Sequence, residues 1–296
     1  MKRVIAGCLI LILPASVFAG VITGGETVYH VVAGDSLQLI SSRFGVDTAA
    51  IRRENNIGAP VRLQPGQKLR LDTRKIAPKT LENGIIIDIP GRMLYYFRAS
   101  RLEQSFPVGL GMPQWRGMTL WRTPARTFTI TGKAENPVWY VPKSIQWQMK
   151  VEGKPVLTRV PSGPDNPLGR FALYTSITRM VIHETIWPTT VFQFRSHGCV
   201  RVLPENIERF YRDVEVGMSG ELVYEPVKVA VTDDGKVFLQ VDRDIYGKVR
   251  KPLDQVIERI NDLQVAAEVD WARIRRVVHE QSGIAEDITL FPESEF

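Results

Sequence analysis

Cysteine is nearly absent from this chain: 296 residues carry two thiols, Cys8 and Cys199. Cys8 falls in the opening stretch "MKRVIAGCLILILPASVFAG". That stretch has a basic start at Lys2 and Arg3, an apolar run from Val4 to Leu13, and "VFA" before Gly20. This is the pattern of a secretory signal peptide, too short to span a bilayer. The rival, a lipidation site at "IAGC", leaves only Val4, Ile5 and Ala6 between Arg3 and its glycine, which is no apolar core. Residues 1–19 are therefore expected to be removed, and Cys8 with them. The exported chain then holds one thiol and cannot form an internal disulfide. A single cysteine in an oxidising place points to intermolecular pairing or to a reactive thiol.

Other shortages narrow the function. Beyond residue 19 no apolar segment is long enough for a transmembrane anchor. There is no basic run of the kind that binds nucleic acid. The four histidines come without a CxxC pair, so a zinc site built from His183, His197 and Cys199 lacks an obvious fourth ligand, and no metal is expected. Of 38 basic residues, the loss of Lys2 and Arg3 leaves 36 against 32 acidic, so the net charge falls from +6 to +4. A mild positive excess suits an anionic envelope polymer. The length allows two or three domains.

The first of them is legible in residues 28–72. An alternating strand (Val28, His30, Val32) leads to "GDSL", where Asp35 is expected to cap a helix carrying Leu37, Ile40 and Phe44 until Gly45 ends it. Asp47 is expected to cap a second short helix, and Pro65-Gly66 turns into a last strand, Lys68 to Leu71. The order is βααβ. With its tyrosine strand, "GDSL", "FG" and "LQPGQKLRL", this α+β module closely resembles the LysM (lysin motif) family. The resemblance implies binding to N-acetylglucosamine-containing glycan strands, chiefly peptidoglycan; the alternative is a packing domain with no ligand. Residues 73–83, opening "TRKIAPKT", are polar and are expected to form a linker.

From Gly84 the chain is expected to be mostly β. "GIIIDIPGRMLYYF" is a hairpin around Pro90-Gly91, and "PENIERFYRDV" is the one clear helix, with Pro204 in its first turn. Cys199 lies just before that helix in "RSHGCVRV", where the helix start would favour a thiolate. An imidazole is what makes such a thiol a ready nucleophile. His183, on a separate strand-like run, is preferred as the base over His197, two residues from the thiol. The N–H groups of Gly198 and Cys199 are the candidate oxyanion hole. Taken alone, a lone cysteine or a strand histidine is more often a packing residue.

"NPLGRFALY", "VIHET", "SHGCVRV" and "LPENIERFY" together resemble the L,D-transpeptidase catalytic domain of bacterial cell-wall enzymes, over 84–225. Its signature is a histidine, a spacer, then Ser/Thr-His-Gly-Cys with Arg or Asn two residues on. The resemblance implies Cys199 as nucleophile, His183 as base and the backbone carbonyl of Glu184 as the group that orients the imidazole. It implies Ser196, His197 and Gly198 as further site residues, and Arg201 and Tyr174 as substrate-binding residues. The implied reaction is attack on a stem tetrapeptide after its third residue, release of D-alanine, and transfer of the thioester to an amine. That amine is diaminopimelate or a lysine of an envelope lipoprotein. No cofactor is implied, and the location is the periplasm or cell envelope. A hydrolase using water on the same thioester, and a non-catalytic wall-binding scaffold, are the alternatives. Glu184 stands where the family has glycine, and Arg126 replaces the glycine of "TPxGxF". The Glu184 charge is expected to raise the His183 pKa.

Residues 226–296 are expected to form a small α/β extension that packs on the catalytic domain or lines its cleft. It has a hairpin at Asp234-Gly235 and two amphipathic helices.

Overall fold

In the computed structural model, residues 20–249 and 251–290 are described; the expected signal peptide, with Cys8, lies outside them. The N-terminal unit runs β1 (Ile22–Thr23), β2 (Glu26–His30), α1 (Leu37–Phe44), α2 (Thr48–Glu54), β3 (Lys68–Asp72) and β4 (Lys75–Ile76). β2 and β3 pair antiparallel, with Tyr29 opposite Leu69, and β1 pairs with β4. Gly45 ends α1 at φ 66°, its N–H bonded to the Ser41 carbonyl. The α1 cap is Ser36 rather than Asp35: Ser36 Oγ accepts the Leu39 N–H at 3.2 Å. Asp35 instead accepts the Tyr29 hydroxyl at 2.6 Å and the Val32 N–H at 2.9 Å, tying strand to turn. Asp47 precedes α2 but makes no capping bond; its carboxylate faces Arg92 of the next unit at 3.2 Å.

The middle unit comprises β5 (Gly84–Asp88), β6 (Met93–Arg98), β7 (Arg101–Pro107), β8 (Leu110–Gly111), β9 (Thr127–Glu135), β10 (Trp139–Tyr140) and α3 (Lys143–Val151). It continues with β11 (Arg159–Val160), β12 (Phe171–Thr175), β13 (Val181–Glu184), β14 (Phe194–Ser196), β15 (Val200–Val202), α4 (Pro204–Asp213) and β16 (Ser219–Val223). Eight strands form one sheet in the order β15-β13-β12-β9-β16-β5-β6-β7. Only β13–β15 and β16–β5 pair in parallel within it. The core joins Ile85, Leu94, Leu173, Ile182 and Val200, with Ile207 and Phe210 of α4 laid over them. The second helix, α3, was not expected. It buries none of its residues, so its sequence carries no strong apolar stripe to reveal it. It is inserted between β10 and β11, which pair antiparallel.

The C-terminal unit is β17 (Val227–Val231), β18 (Val237–Val241), α5 (Pro252–Asp262), α6 (Trp271–Glu280) and β19 (Glu286–Asp287). Its three strands are antiparallel, and Val256 of α5 and Ile274 of α6 pack with Val227 and Leu239. The whole is multidomain, as expected: a small α+β LysM-like unit, a mostly-β domain and a small α/β extension.

The expected linker, residues 73–83, is buried over part of its length. Lys75, Ile76 and Ala77 are each 1% exposed. Ile76 N–H is held by Gln240 Oε1 at 2.7 Å, and the Lys75 ammonium donates to the Gly283 carbonyl. Beside it, Lys228 Nζ lies 2.8 Å from Asp88 Oδ2 and 2.7 Å from Asp242 Oδ2, all three side chains buried. Ile284 of the extension joins the core of the first unit, and Ser42 Oγ donates to the Val191 carbonyl at 2.9 Å. The three units therefore share an interior.

Two outcomes follow for stability. Lys228→Met leaves two buried carboxylates without their cation and should cost about 3–5 kcal/mol in urea unfolding; a loss under about 1 kcal/mol would mean that they are neutralised without it. Removing residues 28–72 uncovers Ile284 and the Val191 carbonyl and should lower the Tm of the remainder by roughly 5 °C. An unchanged Tm would show that the first unit folds without helping the rest.

Candidate active site

The parallel pairing of β13 with β15 sets the site. Ile182 stands opposite Val200, His183 opposite Arg201, and Glu184 opposite Val202. Side chains alternate along a strand. Ile182, Val200 and Val202 are buried in the core, so His183 and Arg201 face the other way, and Cys199, two residues before Arg201, faces with them. They open on a cleft of about 1120 Å³. Ser196, His197, Gly198 and Tyr174 line the same cleft, so the structure brings together every expected site residue except the Glu184 side chain.

His183 Nδ1 lies 2.6 Å from the Glu184 carbonyl oxygen. A carbonyl only accepts, so Nδ1 carries the proton and Nε2 keeps the lone pair. Burial lowers the His183 pKa to about 4, helped by the Arg201 charge and opposed by the Glu184 carbonyl. Burial pushes the Cys199 thiol up, against a backbone hydrogen bond and the pull of Arg201. Its Sγ donates to the Arg179 carbonyl at 3.5 Å. At neutral pH the resting pair is thus a neutral thiol and a neutral imidazole. The helix start does not favour a thiolate here as expected. β15, Val200–Val202, separates Cys199 from α4, a span of about 10 Å, beyond the first-turn range of the helix dipole.

The loop before the thiol is pinned from inside. Ser196 Oγ donates to the Cys199 carbonyl at 2.6 Å and accepts the Gly198 N–H at 3.2 Å. Gly198 sits at φ 103°, a conformation that favours glycine. Its N–H is spent on Ser196, which corrects the expected oxyanion hole. Of the two candidate donors, only the Cys199 N–H has no acceptor among the described residues. Three supports were not anticipated. Thr123 Oγ1 accepts the Gly111 N–H at 2.8 Å and donates weakly to the Gly198 carbonyl at 3.4 Å. Tyr246 of the extension accepts the Thr123 N–H at 3.1 Å and donates to the Gly111 carbonyl at 2.7 Å. Gln148 of α3 places Oε1 2.5 Å from His197 Nε2, and the His197 ring stands edge-to-face on Trp121 at 4.5 Å. None of these contacts has a local sequence signal, because each joins segments distant in the chain.

Glu184 does not act on His183 as expected. Its Oε2 accepts the Arg170 N–H at 3.0 Å. Its Cβ packs on Gly169, where an added Cβ would lie 2.5 Å away. The side chain is thus on the core face at the end of β13, and the His183 pKa falls rather than rises. Arg126 is exposed and does not line the cleft. Arg201 is half-buried without a carboxylate partner among the described residues. Its guanidinium lies 5.5 Å from the centre of the Trp187 ring, and burial lowers its pKa. Among the described residues no group of three or more His, Cys, Asp or Glu side chains is arranged to hold a metal ion, and no helix is long and apolar enough to cross a membrane.

Two family models match the chain. The LysM domain model matches residues 29–72. The chain is 27% identical over 278 residues to a protein named probable L,D-transpeptidase YcfS of Escherichia coli K12, covering 89% of this chain and 84% of that one. It is 28% identical over 265 residues to probable L,D-transpeptidase ErfK/SrfK of Salmonella typhimurium LT2, covering 86% and 82%. The YkuD model, described as an L,D-transpeptidase catalytic domain, matches residues 82–229 and so spans the sheet, the cleft and the Cys199 loop. The chain belongs to the YkuD family of L,D-transpeptidases and carries a LysM domain ahead of the catalytic one.

Proposed function

We propose that the protein is an exported enzyme of the periplasm or cell envelope that remodels peptidoglycan through a Cys199 thioester. The observation that carries this reading is the β13–β15 register, which sets Cys199, His183 and Arg201 on one face of one cleft. The donor is a stem tetrapeptide. Cys199 Sγ attacks the carbonyl carbon after the third residue while His183 Nε2 takes the thiol proton. The Cys199 N–H steadies the oxyanion. Collapse breaks the peptide bond, and the departing D-alanine amine takes the proton from His183. An amine then displaces the thioester: a diaminopimelate side chain for cross-linking, or a lysine of an envelope lipoprotein.

The charges in the cleft support an anionic donor. Arg122, Lys154, Arg179 and Arg201 line it against Glu152 and Asp165. Arg201, held without a carboxylate of its own, is suited to a substrate carboxylate, with Tyr174 beside the same path. The LysM domain binds the glycan strand on this reading. The enzyme needs no cofactor for any of these steps.

Cys199→Ser and His183→Ala should each lower D-alanine release from a disaccharide-tetrapeptide by about a hundredfold or more, followed by mass spectrometry of the products. Comparable turnover in Cys199→Ser would refute the assignment of the nucleophile.

The neutral resting pair makes a pH prediction. Burial holds the His183 pKa down at about 4 and the Cys199 thiol up. Alkylation of Cys199 by iodoacetamide should therefore keep rising beyond the ordinary thiol range near pH ~8.5. A fast plateau at pH ~5–7 would instead reveal a thiolate–imidazolium pair.

A further inference from the structure

Gln148 sits on the helix that buries nothing, yet its amide makes two bonds at the cleft. Nε2 donates to Glu152 Oε1 at 2.8 Å, and Oε1 lies 2.5 Å from His197 Nε2. The second oxygen of Glu152 holds Lys154 Nζ at 2.7 Å. Lys154 and then Gln148 draw the Glu152 carboxyl below its usual range, so at neutral pH it is ionised and only accepts. The amide must then present its nitrogen to Glu152 and its oxygen to His197. An amide oxygen only accepts, so His197 carries its proton on Nε2. Its Nδ1 is left bare, and no described residue donates to it.

His183 is fixed as the opposite tautomer, with Nδ1–H on the Glu184 carbonyl. The cleft therefore holds two rings with one free basic nitrogen each, His183 Nε2 and His197 Nδ1. They belong to different walls. His183 is on β13 of the sheet; His197 contacts α3 and Trp121. A two-step acyl transfer has two proton acceptances to serve, one from the thiol and one from the amine.

Resting on the transpeptidase reading, we propose that Lys154, Glu152 and Gln148 form a positioning relay that keeps His197 Nδ1 unprotonated, and that this nitrogen accepts the proton of the incoming amine. The amine enters uncharged. Its nitrogen bonds to the acyl carbon, the C–S bond breaks, and the electron pair goes to Sγ. One N–H proton passes to His197 Nδ1 and then, directly or through solvent in the cleft, to Sγ, restoring thiol and neutral ring. Gln148 and Glu152 never touch the amine. They act by fixing which nitrogen of His197 is free, and only while α3 lies over the cleft.

The tautomer is open to direct measurement in the full exported chain labelled with ¹⁵N-histidine. At neutral pH, His197 Nδ1 should show the shift of a bare ring nitrogen and Nε2 that of a protonated one; the reverse overturns the proposal whatever the activity. Gln148→Leu should lower the ratio of amine transfer to hydrolysis of the acyl-enzyme by about tenfold or more. Gln148→Glu alone sets two carboxylates against each other and should lower it too. Gln148→Glu combined with Glu152→Gln exchanges donor and acceptor. The new carboxylate at 148 accepts from His197 and from the new amide at 152, so the ratio should return to within about twofold of the starting enzyme. A general loss of α3 structure would not be repaired by that exchange. Equal ratios in all four proteins would overturn the relay. Acylation of Cys199 by a carbapenem, read by intact mass, keeps the two readings apart. No adduct on the unmodified enzyme sinks the transpeptidase chemistry, whereas a normal adduct with an unmoved ratio sinks the relay alone.

Discussion

The parallel pairing of two short strands, β13 and β15, is the constraint on which the site depends. In a parallel pair, residues set side by side point to the same face. Registering Ile182 with Val200 buries both, and that burial turns His183, Arg201 and Cys199 outward together. A slip of one residue would put His183 and Cys199 on opposite faces and drive Arg201 into the core. The energy that holds the catalytic register is therefore mostly apolar. Three valine and isoleucine side chains, each worth about 1.5–3 kcal/mol when buried, specify the face that a thiol and an imidazole share. The same alternation disposes of Glu184. It falls on the core face, where its carboxylate is satisfied by the Arg170 N–H, and only its carbonyl reaches the cleft side, on His183 Nδ1.

Burial shapes the chemistry as well as the geometry. Desolvation disfavours charge on either partner, lowering His183 and raising Cys199. A thiolate–imidazolium pair would have to be made in a wall that penalises both ions. On the proposed reading, a neutral pair moves its proton only as the sulfur attacks, when a carbonyl carbon is present to take the electron pair. On the proposed reading of an exported chain, that arrangement suits a thiol in an oxidising compartment, since oxidation proceeds through the thiolate.

The sequence carried the module, the catalytic strands and the chemistry-bearing residues, because these are written in local periodicity and contiguous motifs. Gly45 at the end of α1, the hairpin at Pro90-Gly91 and the apolar face of α4 are of that kind. What it concealed was decided by contacts between distant segments. Asp35 and Ser36 both look like caps, and only the pull of the Tyr29 hydroxyl on Asp35 decides between them. Gly198 has the local pattern of an oxyanion donor, but its N–H is taken by Ser196 Oγ. The stretch 73–77 is polar at Arg74 and Lys75, yet Lys75–Ile76 becomes a buried strand, because Gln240 and the Gly283 carbonyl satisfy it from more than 160 positions away. Tyr246 and Gln148 support the catalytic loop from segments with no motif at all.

The shared interior also changes what the first domain does on the proposed reading. A module on a flexible linker raises local concentration by an amount set by linker length. Here part of the connection, Lys75–Ile76, is a buried strand. Asp47 is paired to Arg92, Ser42 is bonded to the Val191 carbonyl, and Ile284 sits in the module's core. The loops around Gly34 and from Gly58 to Gly66 stay exposed. A glycan strand held on those loops is then at a fixed distance and angle from Cys199. Its stem peptides are presented in register with the strand rather than at random. The domain acts less as a tether than as a ruler, and the buried Lys75, bonded to the Gly283 carbonyl, helps keep that ruler attached.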